Sequence, residues 1–313
     1  MKTWLAVTAI ILALLGGFAW WALLDGAAPA RAEGVFDLAE YRALVAVDAP
    51  ETLPTEVRAE FVGESEAPSI AAMAGDFRPA RTFTYASFQI VAPGGDTIID
   101  GAVDAETLKA MSRGEGRFDE GSYQRVLAAT TQAGQVLITH EHLDHVMAIA
   151  RHPDPEALAP LLRLTRTQLD ALPQHAVGGT LAPAIAAAPP LELNGPTRIA
   201  PGIVAAPAPG HSLGTIVIYV RGTEREYLFI GDIAWVMDSV REARGRPRLI
   251  RWIVPGVDPD RPAVLAQLRA LHDIAEADPE LVIVPAHDKA YLLGLIDSGA
   301  LREGFAPSSP PPA

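Results

Sequence analysis

The sequence predicts an α/β layered domain preceded by one N-terminal hydrophobic helix. Three observations carry that expectation. Apolar residues make up 49 % of the 313 residues and charged residues 20 %, enough hydrophobic material for a sizeable core without the composition of a disordered chain. Strand-like and helix-like runs interleave in two similar halves, the pattern of sheets covered by helices. Ahead of both halves lies an uncharged run from Thr3 to Leu24.

That run is long enough to cross a ~30 Å hydrocarbon layer, for which about 20 helical residues suffice. Signal peptides have shorter apolar cores of roughly 7–15 residues, which favours an uncleaved anchor. Ala30-Arg31-Ala32, however, has the small-x-small form of a cleavage site. Trp20 and Trp21, near the far end, suit an interfacial aromatic belt. Residues 1–24 are therefore expected to be a transmembrane anchor or signal segment. The remainder is expected outside the cytoplasm, membrane-anchored or, after cleavage, secreted or periplasmic. Residues 25–56, rich in Ala, Pro and acids, read as a linker and N-terminal extension, with one helix around the apolar stretch Tyr41–Val47 packed on the main body.

The main domain is expected over 57–305. Val57–Val62 and Thr82–Val91 alternate like strands, and Pro93-Gly94-Gly95-Asp96 turns the chain into Thr97–Asp100 as a hairpin. Tyr123–Gln132 reads as a helix, Gln135–Thr139 as a short buried strand, and Val146–Ala150 as a helix start. The Leu-, Ala- and Pro-rich stretch 156–197 carries no evident chemistry and reads as a lid or insertion. Arg198–Ala206, Thr215–Val220 and Tyr227–Ile230 read as strands, with a polar loop at 221–226. Pro262–Ala277 fits an amphipathic helix, Leu281–Val284 a strand, and Lys289–Ile296 a last helix. The Pro-rich tail 306–313 is expected to be disordered.

Lys and Arg total 25 against 38 acids, a net charge of -13, so no basic face is available for nucleic acid. The expected partners are a small-molecule substrate and the membrane. The chain has no cysteine, which excludes disulfides, thiolate metal sites and cysteine nucleophiles.

The chemistry gathers in Thr139-His140-Glu141-His142-Leu143-Asp144-His145, directly after a buried strand. Three imidazoles and two carboxylates in six residues make a poor core segment, because each costs several kcal/mol to bury unsatisfied. A divalent cation satisfies them. A solvated polar loop is the plainer reading, and it fits three histidines at these offsets badly. His211, Asp232 and His287 each follow an apolar strand in the same way, at Pro209-Gly210-His211, Ile230-Gly231-Asp232 and Pro285-Ala286-His287. Alone, each could be a surface histidine or a turn-capping aspartate. Together they repeat one arrangement, and in a layered domain such strand ends can meet at one edge. His152, His175 and His272 stand outside this set and read as surface or packing residues. Seven N and O ligands exceed one tetrahedral zinc and suit two divalent metal ions sharing a carboxylate, with zinc the default and iron or manganese admitted.

These residues match the HxHxDH signature of the metallo-β-lactamase superfamily, and His211, Asp232 and His287 resemble its next three ligand motifs in order. Thr97-Ile98-Ile99-Asp100 is similar to its first motif, a strand ending in a structural aspartate. The resemblance spans roughly 57–297 and implies a four-layer αββα sandwich with a dinuclear site on one edge. It implies that His140, His142 and His211 hold one metal, that Asp144, His145 and His287 hold the other, and that Asp232 bridges them. Asp232 is unlike the β-lactamases proper, which generally lack an aspartate there. Flavodiiron proteins place Glu at the position of His142, and ribonuclease Z relatives need a nucleic-acid-binding arm. Glyoxalase II and the N-acyl-homoserine lactone lactonases share the seven-ligand pattern, although the basic substrate residues of glyoxalase II are not evident here.

The resemblance therefore implies a dinuclear hydrolase that activates water against an ester, thioester or lactone. Asp144 would receive a proton after attack, and Asp232 would serve catalysis as the bridge. Trp235 is placed either to line the cleft or to fill the core. The rivals are a mononuclear iron dioxygenase of the persulfide dioxygenase type and a metal-binding scaffold without turnover.

Overall fold

A computed structural model describes residues 2–307. The tail expected at 306–313 lies outside the described residues except for its first two positions.

Two twisted sheets form the body. The first takes β1 (Glu56–Ala67), β2 (Arg81–Val91), β3 (Thr97–Ile99), β4 (Arg117–Phe118), β5 (Gln135–Leu137) and, much later in the chain, β11 (Arg302–Glu303). Its order is β11-β1-β2-β3-β5, with β4 also on β1. The second takes β6 (Thr197–Ala200), β7 (Ile203–Pro207), β8 (Ile216–Arg221), β9 (Glu226–Gly231) and β10 (Val282–Pro285), in the order β10-β9-β8-β7-β6. Where the sequence suggested one strand over Arg198–Ala206, there are two antiparallel ones. Pro201 and Gly202 fold the segment back, and Gly202 takes φ +72°, open to glycine without strain.

Period-2 alternation sorts the side chains into layers. Ala86, Phe88 and Ile90 of β2 meet Ile218, Val220 and Phe229 between the sheets, with the Phe88 and Phe229 rings edge-to-face at 5.1 Å. The intervening residues point outward to helices on both sides. Val217, Tyr219, Leu228 and Ile283 pack on helices Leu38–Val45 and Arg261–Ala277. Ile98, Val136 and Ile138 pack on helix Leu143–Ala150 and the short helices that follow it. The architecture is thus four layers, helix–sheet–sheet–helix.

One segment is more integrated than its composition suggested, and a second packs through its helix. The stretch 156–197 forms short helices and turns whose Leu158, Leu162, Leu164, Leu172 and Ile185 are buried against the first sheet. There it supplies an outer helical layer. Gln168 fastens it, its amide donating to the carbonyls of Ile138 (3.1 Å) and Gly214 (2.8 Å). Within 25–56, read as a linker, Tyr41 and Val45 are buried in the second sheet's outer core, and Asp48 is ion-paired with Arg198. Tyr41→Ala should lower stability by about 3 kcal/mol, the cost of emptying a buried aromatic site, read as a shift in urea midpoint. An unchanged midpoint would make the segment an accessory.

Ahead of it, Lys2–Ala19 is α-helical and Trp20–Leu24 continues as a wider turn. Trp4–Leu24 is long and apolar enough to cross a membrane, with mean hydropathy 2.2. The chain joins the body at once. The Leu249 amide donates to the Ala22 carbonyl (3.1 Å), Gly245 to Gly26 (2.8 Å), and Ala28 to Ala243 (2.9 Å). Asp25 pairs with Arg248 at 2.6 Å.

Candidate metal centre

Strand ends assemble the centre. A strand leaving a sheet loses its ladder partners, so its next residues are free to turn and project side chains over the edge. After β5 comes 139–145, after β7 the loop with His211, after β9 Asp232, and after β10 His287. The Ile216 amide donates to the Thr139 carbonyl (2.8 Å), tying the two sheets together at this edge. Gly231 sets the direction of Asp232. It takes φ +49°, and a Cβ there would lie 2.7 Å from the Thr139 Cβ. Gly231→Ala should therefore cost about 2–4 kcal/mol from strain and overpacking together, measured as a fall in thermal midpoint. A midpoint equal to the parent's would show that the close approach is not needed.

All seven sequence-derived residues come together, in two groups sharing Asp232. His140, His142, His211 and Asp232 form one, and Asp144, His145, Asp232 and His287 the other, with the candidate ligand atoms of each within 4.8 Å of one another. Asp232 faces both ways. Its Oδ2 lies 3.4 Å from His211 Nε2 and 3.8 Å from His140 Nε2. Its Oδ1 lies 2.9 Å from His287 Nε2 and 3.3 Å from His145 Nε2. Asp144 Oδ2 stands 3.4 Å from His287 Nε2.

The outer ring nitrogens of His140, His145, His211 and His287 are already committed. His145 Nδ1 donates to Asp100 Oδ2 (2.9 Å), His287 Nδ1 to the Thr84 carbonyl (2.8 Å), and His211 Nδ1 to Asp258 Oδ1 (2.9 Å). His140 Nδ1 is 3.2 Å from the Thr139 hydroxyl, which itself bonds Asp100. The inner nitrogens converge, His145 Nε2 on His287 Nε2 at 3.3 Å and His211 Nε2 on His142 Nδ1 at 3.0 Å. His140 Nε2 and Asp232 Oδ1 are buried without a well-angled hydrogen bond. Close-set ring nitrogens and buried polar atoms without a good hydrogen bond are what a cation relieves, so the donor set fits metal.

Electrostatics agree. Burial and the neighbouring imidazoles hold His140 well below its ordinary range, and the same causes bring His142 down to about 4, so both stay neutral. Burial opposes protonation of His145, but Asp100, Asp232 and Asp144 outweigh it and raise that group well above its usual value. For His287, burial is overcome chiefly by Asp232. Burial would push Asp232 up, but the His287, His145 and His140 rings hold it ionised. This pocket demands positive charge beside Asp232.

Glu141 lies in the same motif and takes no part in either group. Its carboxylate turns back to accept from Ser212 Oγ (2.8 Å) and the Gly214 amide (3.1 Å), which pins the loop carrying His211. His152 and His175 are packing residues, bonded to the carbonyls of Leu127 and Glu141.

Three groups escaped sequence reasoning. Arg246 is buried, forks onto Asp258 at 2.6 and 3.0 Å, and donates to the Asp232 carbonyl at 2.6 Å. Asp258 sits in Gly256-Val257-Asp258-Pro259, a turn-like run that carries no metal-ligand pattern. Tyr85 packs edge-on to His287 at 5.4 Å, and burial together with Asp144 and Asp232 pushes its hydroxyl up to about 12, so it remains a donor. Trp235, left open between cleft and core, touches the centre. Its indole donates to Asp232 Oδ2 at 2.7 Å, and the Arg246 guanidinium covers its ring at 4.8 Å.

No family model and no curated protein sequence matches the chain. Solved structures do. A quorum-quenching N-acyl homoserine lactone lactonase is 14 % identical, with TM-score 0.57, over 78 % of this chain and 95 % of its own. An N-acyl homoserine lactone hydrolase, solved with N-hexanoyl-L-homoserine at its catalytic metal center, gives the same identity and score over 77 % and 96 %. A probable metal-dependent hydrolase from Staphylococcus aureus gives 13 % and 0.53 over 75 % and 91 %. These likenesses show the fold, the αββα sandwich of the metallo-β-lactamase type.

Proposed function

We propose that this chain, which folds as a metallo-β-lactamase sandwich, is a dinuclear metal-dependent hydrolase acting on an ester, thioester or lactone. The observation that carries the reading is Asp232, whose two oxygens face separate histidine sets. His140, His142 and His211 would hold one divalent ion, and Asp144, His145 and His287 the other, with Asp232 between. Two such ions supply an activated water at neutral pH and a Lewis acid for the substrate carbonyl. Zinc is the ion best matched to imidazole and carboxylate donors.

The chain's own residues do the remaining work. Asp100, Thr84 and Asp258 fix the tautomers of His145, His287 and His211, so each presents Nε2 inward without reorganising. Trp235 holds Asp232 from turning and shields one side of it from water. Of the two carboxylates in the centre, Asp144 has the more open side chain, 15 % exposed against 3 % for Asp232. It is therefore the carboxylate that can take a proton at Oδ2 and pass it to bulk water. In this proposal the domain lies outside the cytoplasm, held by the N-terminal helix, whose length and hydropathy suit a membrane span.

Metal analysis of purified full-length protein should give about two transition ions per chain, on the argument that seven ligands overfill one site. A panel of chromogenic esters, thioesters and lactones should show hydrolysis that chelation abolishes and metal restores. One iron with oxygen uptake on a thiol substrate would point to a dioxygenase instead. No bound metal would end the reading.

A further inference from the structure

One loop touches both the centre and the apolar helix. Between β9 and helix Arg261–Ala277, a short helix at Ile250–Ile253 carries Trp252, Ile253 and Val254 to the surface, Trp252 at 61 % exposure. The Trp252 ring lies 5.7 Å from that of Trp21, which lies 5.9 Å from Phe18, so the patch continues the apolar face of the N-terminal helix. The Arg248 guanidinium covers Trp21 at 5.5 Å, and Arg251 is exposed beside it. A few residues on, the same loop reaches the metal centre. A Cβ on Gly256 would sit 3.8 Å from His142 Nε2, and Asp258 binds His211 through both its amide (3.2 Å) and its carboxylate (2.9 Å).

Contiguous exposed Trp, Ile and Val are unfavourable in water, and here they adjoin a helix long enough to span a bilayer. Tryptophan and arginine together suit the headgroup level, the indole in the acyl boundary and the guanidinium in the polar layer. The junction is short and hydrogen-bonded from Ala22 to Ala28, so the body has little freedom to swing away from the surface that the helix leaves.

We propose that the Ile250–Val254 turn seats in the headgroup–acyl boundary of the leaflet that helix Trp4–Leu24 leaves, and that it sets the mouth of the metal centre against that leaflet. The substrate is accordingly a lipophilic acyl compound that reaches the centre from the membrane. This second half rests on the hydrolase reading above, and the seating does not.

Because the chain has no cysteine, single introduced cysteines report one position each. Trp252→Cys, Ile253→Cys and Glu224→Cys, the last in the β8–β9 turn at the far edge, are spin-labelled in full-length protein. The protein is reconstituted in phosphatidylethanolamine–phosphatidylglycerol vesicles. Labels at 252 and 253 should relax with dissolved oxygen more than with a polar nickel chelate, and the label at 224 should do the reverse. If all three behave as aqueous, or if the mature protein begins after Ala32, the seating is wrong. In the second arm, Trp252→Ser/Ile253→Ser should lower hydrolysis of a long-chain acyl ester held in the vesicles by at least about tenfold, given the apolar area withdrawn. Hydrolysis of a water-soluble short-chain ester should be unchanged. Equal loss on both esters would overturn the membrane route for substrate. Buried labels with no hydrolysis of either ester would leave the seating standing and remove the hydrolase reading alone.

Discussion

Asp232→Ala is expected to strip both halves of the centre at once, not one. Each half would keep three ligands, but the orphaned inner nitrogens would lose the carboxylate that balances their charge. Asp232 is the chief group raising His287 and, after Asp100, also raises His145, so it favours positive charge here, and without it a cation at either side would meet only neutral rings and Asp144. Metal content should fall from about two ions per chain to below one, with ligand number as the reason. The lost stabilisation is several kcal/mol, which converts to a drop in turnover of about a thousandfold or more. Asp232→Asn keeps the shape and the Trp235 contact while removing the negative charge. It should retain more structure than the alanine variant and no more activity. Elemental analysis beside a hydrolysis assay decides the matter. An alanine variant with two ions and full rate would remove Asp232 from the bridge.

Arg246→Ala should be the most destabilising single change outside the ligands. The guanidinium is buried, and it neutralises Asp258 while donating to the Asp232 backbone. Truncation leaves the Asp258 carboxylate inside the protein with only His211 against it, and breaking a buried pair in this way costs about 3–5 kcal/mol. Because Asp258 orients His211, metal affinity should fall about 10- to 100-fold as well. Arg246→Lys restores the charge without the two-pronged geometry, so it should recover part of the stability and less of the metal affinity. Urea midpoints and a competition titration with a chromogenic chelator separate the two effects. Unchanged values in both would make the pair idle.

How far the molecule was legible depended on how local the signal was. The motif 139–145 and the strand-end positions of His211, Asp232 and His287 could be read because their chemistry is unlike their apolar surroundings. The strands β7 to β10 were legible as β-branched runs, although a glycine turn split one run in two. Arg246 and Asp258 gave no such sign. Each looks like a surface charge in a polar loop, and only the fold brings them under His211. The segment 156–197 misled through composition. Short Pro-capped turns leave no helical periodicity, yet their leucines meet one sheet face in three dimensions. In 25–56 the apolar stretch around Tyr41–Val47 did signal a packed helix despite a linker's composition, and Tyr41 and Val45, one helical turn apart, occupy a core.

Each half of the centre takes residues from both sheets. His140 and His142 leave the first sheet, and His211 and Asp232 the second; Asp144 and His145 leave the first, and Asp232 and His287 the second. An ion in either half would rivet the sandwich shut, since the sheets could not part without ejecting it. A cation at a thousandfold its dissociation constant adds about 4 kcal/mol against unfolding, so lifetime would track metal supply. Cells starved of transition metals should lose this protein to proteolysis sooner than metal-replete cells, well before any shortage of substrate is felt.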